Sequence, residues 1–224
     1  MRVAWYIVLV LAIDTSTPAV TAGVVRFDRE SADAPRSLAT RATVDARAHA
    51  EVLTPQILEC LAESGYAPAD LDAVVVGVGP GPFTGLRVGM ATGAAFGDAL
   101  GIPVHGVCSL DAIAADAADG RDLLVVTDAR RREVYWARYS QGKRVEGPEV
   151  IKPSDLDGEP SQVIAGSASH VDLFDLPVLP VETPSPAGLV AVAAQALRVG
   201  VEPEPLVPLY LRRPDAVELA DRRK

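Results

Sequence analysis

The sequence predicts an α/β protein built from two related halves, and two observations lead to this prediction. First, apolar β-branched runs typical of buried strands alternate along the chain with segments whose apolar residues recur at helical spacing. Second, residues 9–25 and 123–139 share one pattern: an apolar run that ends in aspartate, a polar turn and a returning strand. Because these segments lie about half a chain apart, we expect an internal duplication.

Each element of the first half is predicted from its local pattern. Pro55 lies inside one amphipathic segment, so that helix either kinks there or begins near Thr54. Gly65 and Gly101 are expected to end the two helices. In chain order the predicted elements are strands at 8–13, 20–27 and 38–44, a helix at 49–64, a strand at 74–78 and a helix at 83–100, with a loop at 28–36.

The second half is predicted to be smaller and more irregular. Residues 140–162 are rich in glycine and proline, and we expect them to be irregular with one short strand. Residues 206–211 are expected to return to the first half, and the charged residues 212–224 are expected to form a mobile tail. In chain order the other predicted elements are a strand at 102–107, a helix at 109–118 capped by Ser109, strands at 123–128, 134–138 and 163–165, an extended segment at 172–186 and a helix at 186–199.

Composition indicates a folded chain with an acidic surface. Of its 224 residues 49% are hydrophobic, enough for one large or two small domains. The formal net charge of −9 argues against nucleic-acid binding by the chain alone, because phosphate contacts need a basic face. The basic clusters at 130–132, 212–213 and 222–224 are expected to be solvated surface. The apolar start at 3–13 is too short for a membrane span, so it predicts a strand with an N-terminal extension.

The most informative stretch is 73–101, in which a buried strand breaks into a Gly/Pro loop and a helix follows. Four glycines spaced four apart lie within that helix: Gly85, Gly89, Gly93 and Gly97. Each costs a helix interior about 1 kcal/mol relative to alanine, so a full ridge of them indicates a close backbone approach. Two interpretations stay open: the ridge faces the protein's own sheet, or it forms a helix–helix seam with another chain.

The loop before this helix suggests phosphate binding, but it matches no nucleotide-binding motif. A Walker A loop fails because Leu86 and Arg87 follow Gly85, and the GxGxxG pattern fails at Pro82. What remains is a turn feeding a helix N-terminus, which can hold an anion, and Asp14 at a strand's carboxyl end, which either lies near phosphate or Mg²⁺ or stabilises an Asx-turn. The candidate phosphate-proximal residues are Asp14, Thr15, Ser16, Gly79, Gly81 and Thr84.

No catalytic residue and no metal site is predicted. His49, His105 and His170 are far apart in the chain and form no metal-binding motif. Cys60 and Cys108 lack CxxC spacing, and we expect buried, reduced thiols in a cytoplasmic protein. Cys108 follows His105 by three residues, but on a short strand the two side chains would point to opposite faces, so they do not form a nucleophile–base pair.

Six segments of the chain together resemble the TsaB (YeaZ) family. The resemblance covers nearly the whole chain, and the GPGxFTGLRxG pattern is its most specific part. Pro82 departs from the family, where serine is common, and residues 1–7 precede the usual start, which leaves their native status open. The segments that carry the resemblance are 11–16, 49–51, 79–89, 106–110, 128–135 and 208–212.

The resemblance implies a fold of two duplicated actin/Hsp70-like (ASKHA) α/β halves. It implies a first domain of 1–105 plus about 205–216, a second domain of 106–204 and a charged tail of 217–224. It further implies a non-catalytic subunit of the machinery that transfers threonylcarbamoyl to N6 of adenosine 37 in ANN-decoding tRNAs. In that machinery the paralogue TsaD holds the metal and carries the chemistry, TsaE is an associated ATPase, and TsaC makes the donor. TsaD holds its metal with two histidines four residues apart, whereas here Leu53 follows His49 at that spacing.

The resemblance also implies a partner-binding seam on helices 49–64 and 83–100. Through it the chain would pair with TsaD, or with a second copy of itself when alone, while tRNA would be contacted only through the complex. The chain is expected to have no cofactor of its own, and the expected site for ATP or ADP is the junction with the partner subunit. The predicted partner-binding residues are His49, Leu53, Ile57, Phe83, Gly85, Leu86, Gly89, Met90, Gly93 and Gly97.

An alternative function is an ATP-dependent phosphotransferase of the same superfamily. In that case Asp14 would lie near Mg²⁺ and the 79–85 loop near phosphate. The isolated chain would then bind ATP, and Asp14→Ala would abolish binding. The lack of a recognisable phosphate loop argues against this alternative, and a peptidase function is weaker still because both metal ligands and a triad are lacking.

Overall fold

Two β-sheets organise the protein in a computed structural model that describes residues 6–45, 48–117 and 119–212. The first sheet has the strand order β3-β2-β1-β4-β5, in which β1 runs antiparallel to β2 and parallel to β4. Its strands are β1 (Ile7–Asp14), β2 (Ala19–Asp28), β3 (Arg36–Val44), β4 (Ala73–Gly77) and β5 (Val104–Val107). Alternate residues of β1 face opposite sides of the sheet, and both sides are buried, which explains its continuous apolar sequence.

The second sheet repeats this arrangement with one strand fewer. Its order is β8-β7-β6-β9, with β6 antiparallel to β7 and parallel to β9, matching the β3-β2-β1-β4 part of the first sheet. The strands are β6 (Leu123–Asp128), β7 (Val134–Ser140), β8 (Lys143–Ile151) and β9 (Val163–Gly166). The predicted duplication and the smaller second half are therefore confirmed.

Five α-helices within the described residues cover the sheets in layers. One face of the first sheet carries α1 and α2, and the other face carries α5. Helix α3 packs against α5 on one side and against the second sheet on the other. An irregular cover that includes α4 buries the outer face of the second sheet. The helices are α1 (His49–Ser64), α2 (Phe83–Leu100), α3 (Ser109–Ala117), α4 (Ala168–Val171) and α5 (Pro186–Val199).

Helix α1 spans the predicted residues 49–64 and continues through Pro55, so of the two alternatives the start near Thr54 is wrong. The structure differs from the predicted elements at two places. Residues 143–151 form a nine-residue strand that pairs with β7, where the sequence predicted an irregular segment with one short strand. The prediction missed its length because β8 is half-exposed and shows no clear apolar alternation. The four-residue helix α4 was not predicted. Both predicted helix ends are confirmed, since Gly65 and Gly101 adopt left-handed φ values of 75° and 65°.

The segment after α5 contacts both halves. The N–H of Leu209 donates to the carbonyl of Val78 at 2.8 Å, and Leu206 packs on the core between α2 and the first sheet. Leu209 and Leu211 also pack against the core of the second sheet. The expected return to the first half is therefore present, although the domain bounds remain a prediction. Residues 1–5 and most of the charged tail, 213–224, lie outside the described residues.

None of the helices in the described part of the chain is both long enough and apolar enough to cross a membrane.

Candidate functional site

Asp14, the last residue of β1, lies at the centre of a buried polar cluster. Its side chain is fully buried. One carboxylate oxygen accepts hydrogen bonds from the N–H and hydroxyl of Ser16 at 2.8 and 2.7 Å, and the other accepts from the hydroxyl of Ser109 at 2.5 Å. Burial raises the pKa of Asp14 above its ordinary value, while the hydrogen bonds from Ser109 and Ser16 oppose that rise. The chain's own donors therefore occupy both oxygens.

Thr15 connects this cluster to α2. Its hydroxyl donates to the carbonyl of Gly85 at 2.7 Å and accepts from the N–H of Gly89 at 3.0 Å. These two backbone groups are four residues apart, the pair that an α-helix normally joins directly. The threonine hydroxyl bridges them, which ties the turn after β1 to the second turn of α2.

The Gly/Pro loop before α2 packs against the Asp14 cluster. The Gly79 N–H donates to the Ser109 hydroxyl at 3.3 Å, and the Ser109 N–H donates to the Gly79 carbonyl at 2.7 Å. At Gly81 a Cβ atom would lie 2.3 Å from the Ser16 carbonyl oxygen, so only glycine permits this approach. Loop, turn and α3 are packed into one buried unit.

This packing brings five of the six candidate phosphate-proximal residues together, and their contact with phosphate stays a prediction. Asp14, Thr15, Ser16, Gly79 and Gly81 are all buried, and the carboxylate of Asp14 accepts hydrogen bonds from Ser16 and Ser109. Of the Asx-turn and the phosphate site, the structure supports the Asx-turn, in which the carboxylate accepts from the N–H two residues on. Thr84, the sixth residue of the assignment, is exposed on the first turn of α2.

The glycine ridge of α2 faces the protein's own first half. A Cβ at Gly85 would lie 2.6 Å from the Thr15 carbonyl oxygen, and one at Gly89 would lie 2.3 Å from the Thr15 hydroxyl. At Gly97 it would lie 2.1 Å from a methyl of Val104 in β5. Of the two interpretations of the ridge, the intramolecular one is correct: missing side chains let α2 lie directly on the sheet and on the turn after β1.

Most of the predicted partner-binding residues lie on inner, buried surfaces of the chain, and their contact with a partner stays a prediction. Nine of the ten are buried within the chain itself, and Phe83 alone is exposed, at 37%. They form the inner faces of α1 and α2, which hold the helices on the sheet. The nine are His49, Leu53, Ile57, Gly85, Leu86, Gly89, Met90, Gly93 and Gly97.

The outer faces of the same helices expose two ridges of mostly small side chains. On α2 each member lies two residues after a buried glycine, and residues two apart point about 200° apart around a helix. This offset is the signal in the sequence that would have located the outward face. The outer ridge of α1 is Ala50, Thr54, Leu58 and Ala62, and the outer ridge of α2 is Arg87, Ala91, Ala95 and Ala99.

A groove extends the outer ridge of α2 towards the C-terminal segment. It has a volume of 490 Å³ and is lined by Arg87, Met90, Ala91, Ala94, Leu206, Pro208 and Tyr210. At its end the rings of Phe83 and Tyr210 stack with centroids 5.0 Å apart, and the Arg87 guanidinium lies over the Phe83 ring at 3.8 Å. Arg87 also donates to the Tyr210 hydroxyl at 3.1 Å. Position 210 therefore shapes this face, although it is distant in sequence.

The cysteines and histidines form no metal cluster within the described residues. Both cysteines are buried, and no group of three or more potential metal ligands occurs in that part of the chain. Burial raises the pKa values of Cys60 and Cys108 to about 11, and it lowers the pKa of His105.

Thiol labelling of the native protein is expected to be slow. With a pKa of about 11, roughly one thiol in a thousand is ionised at pH 8, and the thiolate is the reactive form. Reaction with a chromogenic disulfide at pH 8 should be at least about 100-fold slower in buffer than in denaturing urea. Rapid labelling of either cysteine in buffer would contradict the buried, protonated state.

Comparison with known proteins identifies the family. Residues 42–215 match a family model described as TsaD, tRNA N6-adenosine threonylcarbamoyltransferase. An uncharacterized protein of Mycobacterium tuberculosis is 60% identical over 211 residues, which cover 94% of this chain and 95% of that one. The tRNA threonylcarbamoyladenosine biosynthesis protein TsaB of Escherichia coli is 32% identical over 227 residues, covering 91% of this chain and 94% of that one.

A solved structure agrees with this assignment. YeaZ from Pseudomonas aeruginosa superimposes with a TM-score of 0.74 at 27% identity, covering 90% of this chain and 100% of that one. The duplicated α/β fold predicted from the sequence is thereby confirmed. Because the sequence similarity extends over almost the full length and the fold is shared, the chain belongs to the TsaB (YeaZ) family, whose named members are tRNA threonylcarbamoyladenosine biosynthesis proteins.

Proposed function

We propose that this chain is a non-catalytic subunit that pairs with TsaD and holds it in the form competent to transfer threonylcarbamoyl to N6 of adenosine 37 in ANN-decoding tRNAs. Family membership and the match of residues 42–215 to the TsaD family model support a role beside that enzyme. A partner that binds the competent form of an enzyme more tightly shifts the population towards that form without supplying a catalytic side chain.

The observation that carries the proposal is the outward face formed by the two outer ridges. Leu58 is 53% exposed at the middle of the α1 ridge, and Ala91 and Ala95 are exposed at the middle of the α2 ridge. Alanine side chains lose little conformational entropy on burial and allow another helix to approach closely. Glu59 and Glu63, both paired with Arg41 from β3, supply charge beside the apolar strip. A helix pair of the partner would pack here as a four-helix arrangement.

The proposal extends to the other expected partners. In the absence of TsaD it would pair with a second copy of this chain. TsaE would join the larger complex, and tRNA would be bound by the assembled complex. We further propose that any ATP or ADP binds at the junction with the partner, because the buried Asp14 cluster offers no free carboxylate oxygen. For the same reason the phosphotransferase alternative gains no support.

Charge placed on the outer ridge of α2 is expected to abolish pairing. The double variant Ala91→Arg/Ala95→Arg should weaken association with TsaD at least about 100-fold, because two guanidinium groups would have to be desolvated in an apolar seam. Its melting temperature should stay within a few degrees of the parent, since both positions are exposed.

Size-exclusion chromatography with light scattering measures this association, with TsaD from the same organism. Gln195→Arg on α5 is the matched control, because it adds a guanidinium at an exposed helical position away from the face. A heterodimer with the parent and the control, and separate species with the double variant, would support the proposal. Normal pairing by the double variant would place the seam elsewhere, and failure of the parent to pair would reject the proposed function.

A further inference from the structure

The turn between β6 and β7 holds three consecutive arginines in left-handed conformation. The φ angles of Arg130, Arg131 and Arg132 are 61°, 50° and 63°. Side chains with a Cβ disfavour this region, and glycine or asparagine is the usual choice for it. Three successive arginines there cost free energy that a simple hairpin turn could avoid. Such conformations persist where the surroundings impose them, and they are common at functional sites.

Contacts on both sides impose this conformation. The N–H of Arg130 donates to the Asp128 carboxylate at 2.6 Å, and its carbonyl accepts from the N–H of Glu133 at 3.0 Å. From the C-terminal segment Arg212 donates to the carbonyl of Ala129 at 2.7 Å and pairs with Glu133 at 3.4 Å. The neighbouring carboxylates are thus engaged, one by the turn's backbone and the other by Arg212.

The side chains that this frame presents are exposed and positively charged. All three arginines are exposed on the turn. In a chain with a formal net charge of −9, this is a local concentration of the opposite sign. Guanidinium groups suit phosphate oxygens, to which they can donate two parallel hydrogen bonds.

The duplicated fold supplies a comparison for this turn. It follows β6 as the turn at Asp14 follows β1, because the two sheets share one topology. The first turn is sealed by α2 and Ser109, whereas the Asp128 side chain is 38% exposed and lies 3.6 Å from His170. The carboxyl ends of strands are the usual ligand edge of α/β sheets. Only the second copy of this edge is open.

We propose that the turn at Arg130–Arg132 binds phosphate groups of the RNA backbone and is this chain's own contact with the tRNA of the complex. The inference rests on the proposed function for the identity of the RNA. An exposed hairpin turn with three adjacent guanidinium groups fits a string of phosphates along a strand. A free nucleotide offers the same phosphate chemistry and is distinguished by experiment.

The test measures binding of an ANN-decoding tRNA to the complex with TsaD between 50 and 200 mM salt, by fluorescence anisotropy. The slope of log K against log salt concentration is negative, and each lost phosphate contact makes it shallower by about 0.7 to 0.9. The variant Arg130→Gln/Arg131→Gln/Arg132→Gln should therefore make the slope shallower by about 2 and weaken binding at least about tenfold at 100 mM salt.

The matched control is Arg26→Gln/Arg29→Gln/Arg36→Gln. These three exposed arginines lie near the start of β1, at the opposite end of the first sheet from Asp14, where Ile7 pairs with Asp28. The control removes the same charge and should change the slope by less than about 0.5. Equal effects of the two triple variants would show that net charge alone changes tRNA binding, and this would overturn the assignment of a site.

A structural role for the arginines makes a different prediction. In Arg130→Asn/Arg132→Asn, residues that tolerate left-handed φ replace the charges. If the arginines serve phosphate binding and not the fold of the turn, this variant should melt at the same or a higher temperature and bind tRNA more weakly. A lower melting temperature with unchanged tRNA binding would overturn the inference.

The outcomes separate this inference from the proposed function. Pairing with TsaD is measured first on the same samples. If the triple variant of the turn pairs normally and its salt slope is unchanged, the phosphate contact at the turn is rejected and the proposed function stands. If the parent fails to pair, the proposed function fails, and the salt slope of the isolated chain then tests the turn. Loss of ATP binding with intact tRNA binding would assign the turn to a free nucleotide and overturn the RNA contact.

Discussion

Gly89→Ala is expected to destabilise the protein by about 2–5 kcal/mol, whereas Gly93→Ala should be neutral or stabilising by up to about 1 kcal/mol. At position 89 the new methyl would lie 2.3 Å from the Thr15 hydroxyl. It would force α2 away from the turn after β1 and break the buried hydrogen bond from the Gly89 N–H to that hydroxyl. At position 93 the methyl would meet Val76 at 3.4 Å, an ordinary contact.

Urea unfolding followed by circular dichroism measures this difference. The two variants add the same atom to the same ridge of the same helix, so helix propensity cancels between them. A seam with another chain would give the opposite result, in which both variants keep their stability and lose association with TsaD. Unchanged stability of Gly89→Ala would show that the ridge does not lie against Thr15.

Asp14→Ala is expected to destabilise the protein by about 3–5 kcal/mol. The substitution removes the acceptor of three buried hydrogen bonds, from the Ser16 N–H, the Ser16 hydroxyl and the Ser109 hydroxyl, and leaves a cavity. Asp14→Asn keeps the volume and one acceptor oxygen, so we expect a smaller loss of about 1–2 kcal/mol. A phosphotransferase would instead lose ATP binding in Asp14→Ala while the free energy of unfolding stayed nearly unchanged.

The difference in stability between the parent and Asp14→Asn should depend on pH because the pKa of Asp14 is raised. Burial favours the neutral form, so the carboxyl contributes stability that is fully present below its ordinary pKa of 3.8. That contribution is lost as the pH rises through the raised pKa of the folded state. The asparagine variant lacks this titration, so the stability advantage of the parent over Asp14→Asn should shrink as pH rises. Urea titrations from pH 4 to 8 test this, and an advantage independent of pH would contradict the raised pKa.

The sequence by itself determined most of the strands and helices and the duplication of the fold. Local patterns were sufficient for these features, because an apolar run of six residues or a helical repeat that ends in glycine depends on neighbouring residues. Gly65 and Gly101 end α1 and α2 where the sequence predicted, because a left-handed residue is a local requirement. Strand β8 was predicted only as one short strand for the same reason: it is half-exposed, and its pairing with β7 rather than its own pattern makes it a nine-residue strand.

Only the tertiary structure decided what each face of α2 contacts and whether the Asp14 cluster is open. The spacing of four glycines shows that something approaches α2 closely, but not whether it is a sheet of the same chain or another subunit. Thr15 and Gly89 are 74 residues apart, and Asp14 and Ser109 are 95 apart, so no local pattern joins them. Periodicity determines which residues of an element share a face, whereas burial of the whole chain determines which partner covers that face. The glycine ridge is therefore internal, and the outer ridge on the opposite side of α2 is exposed.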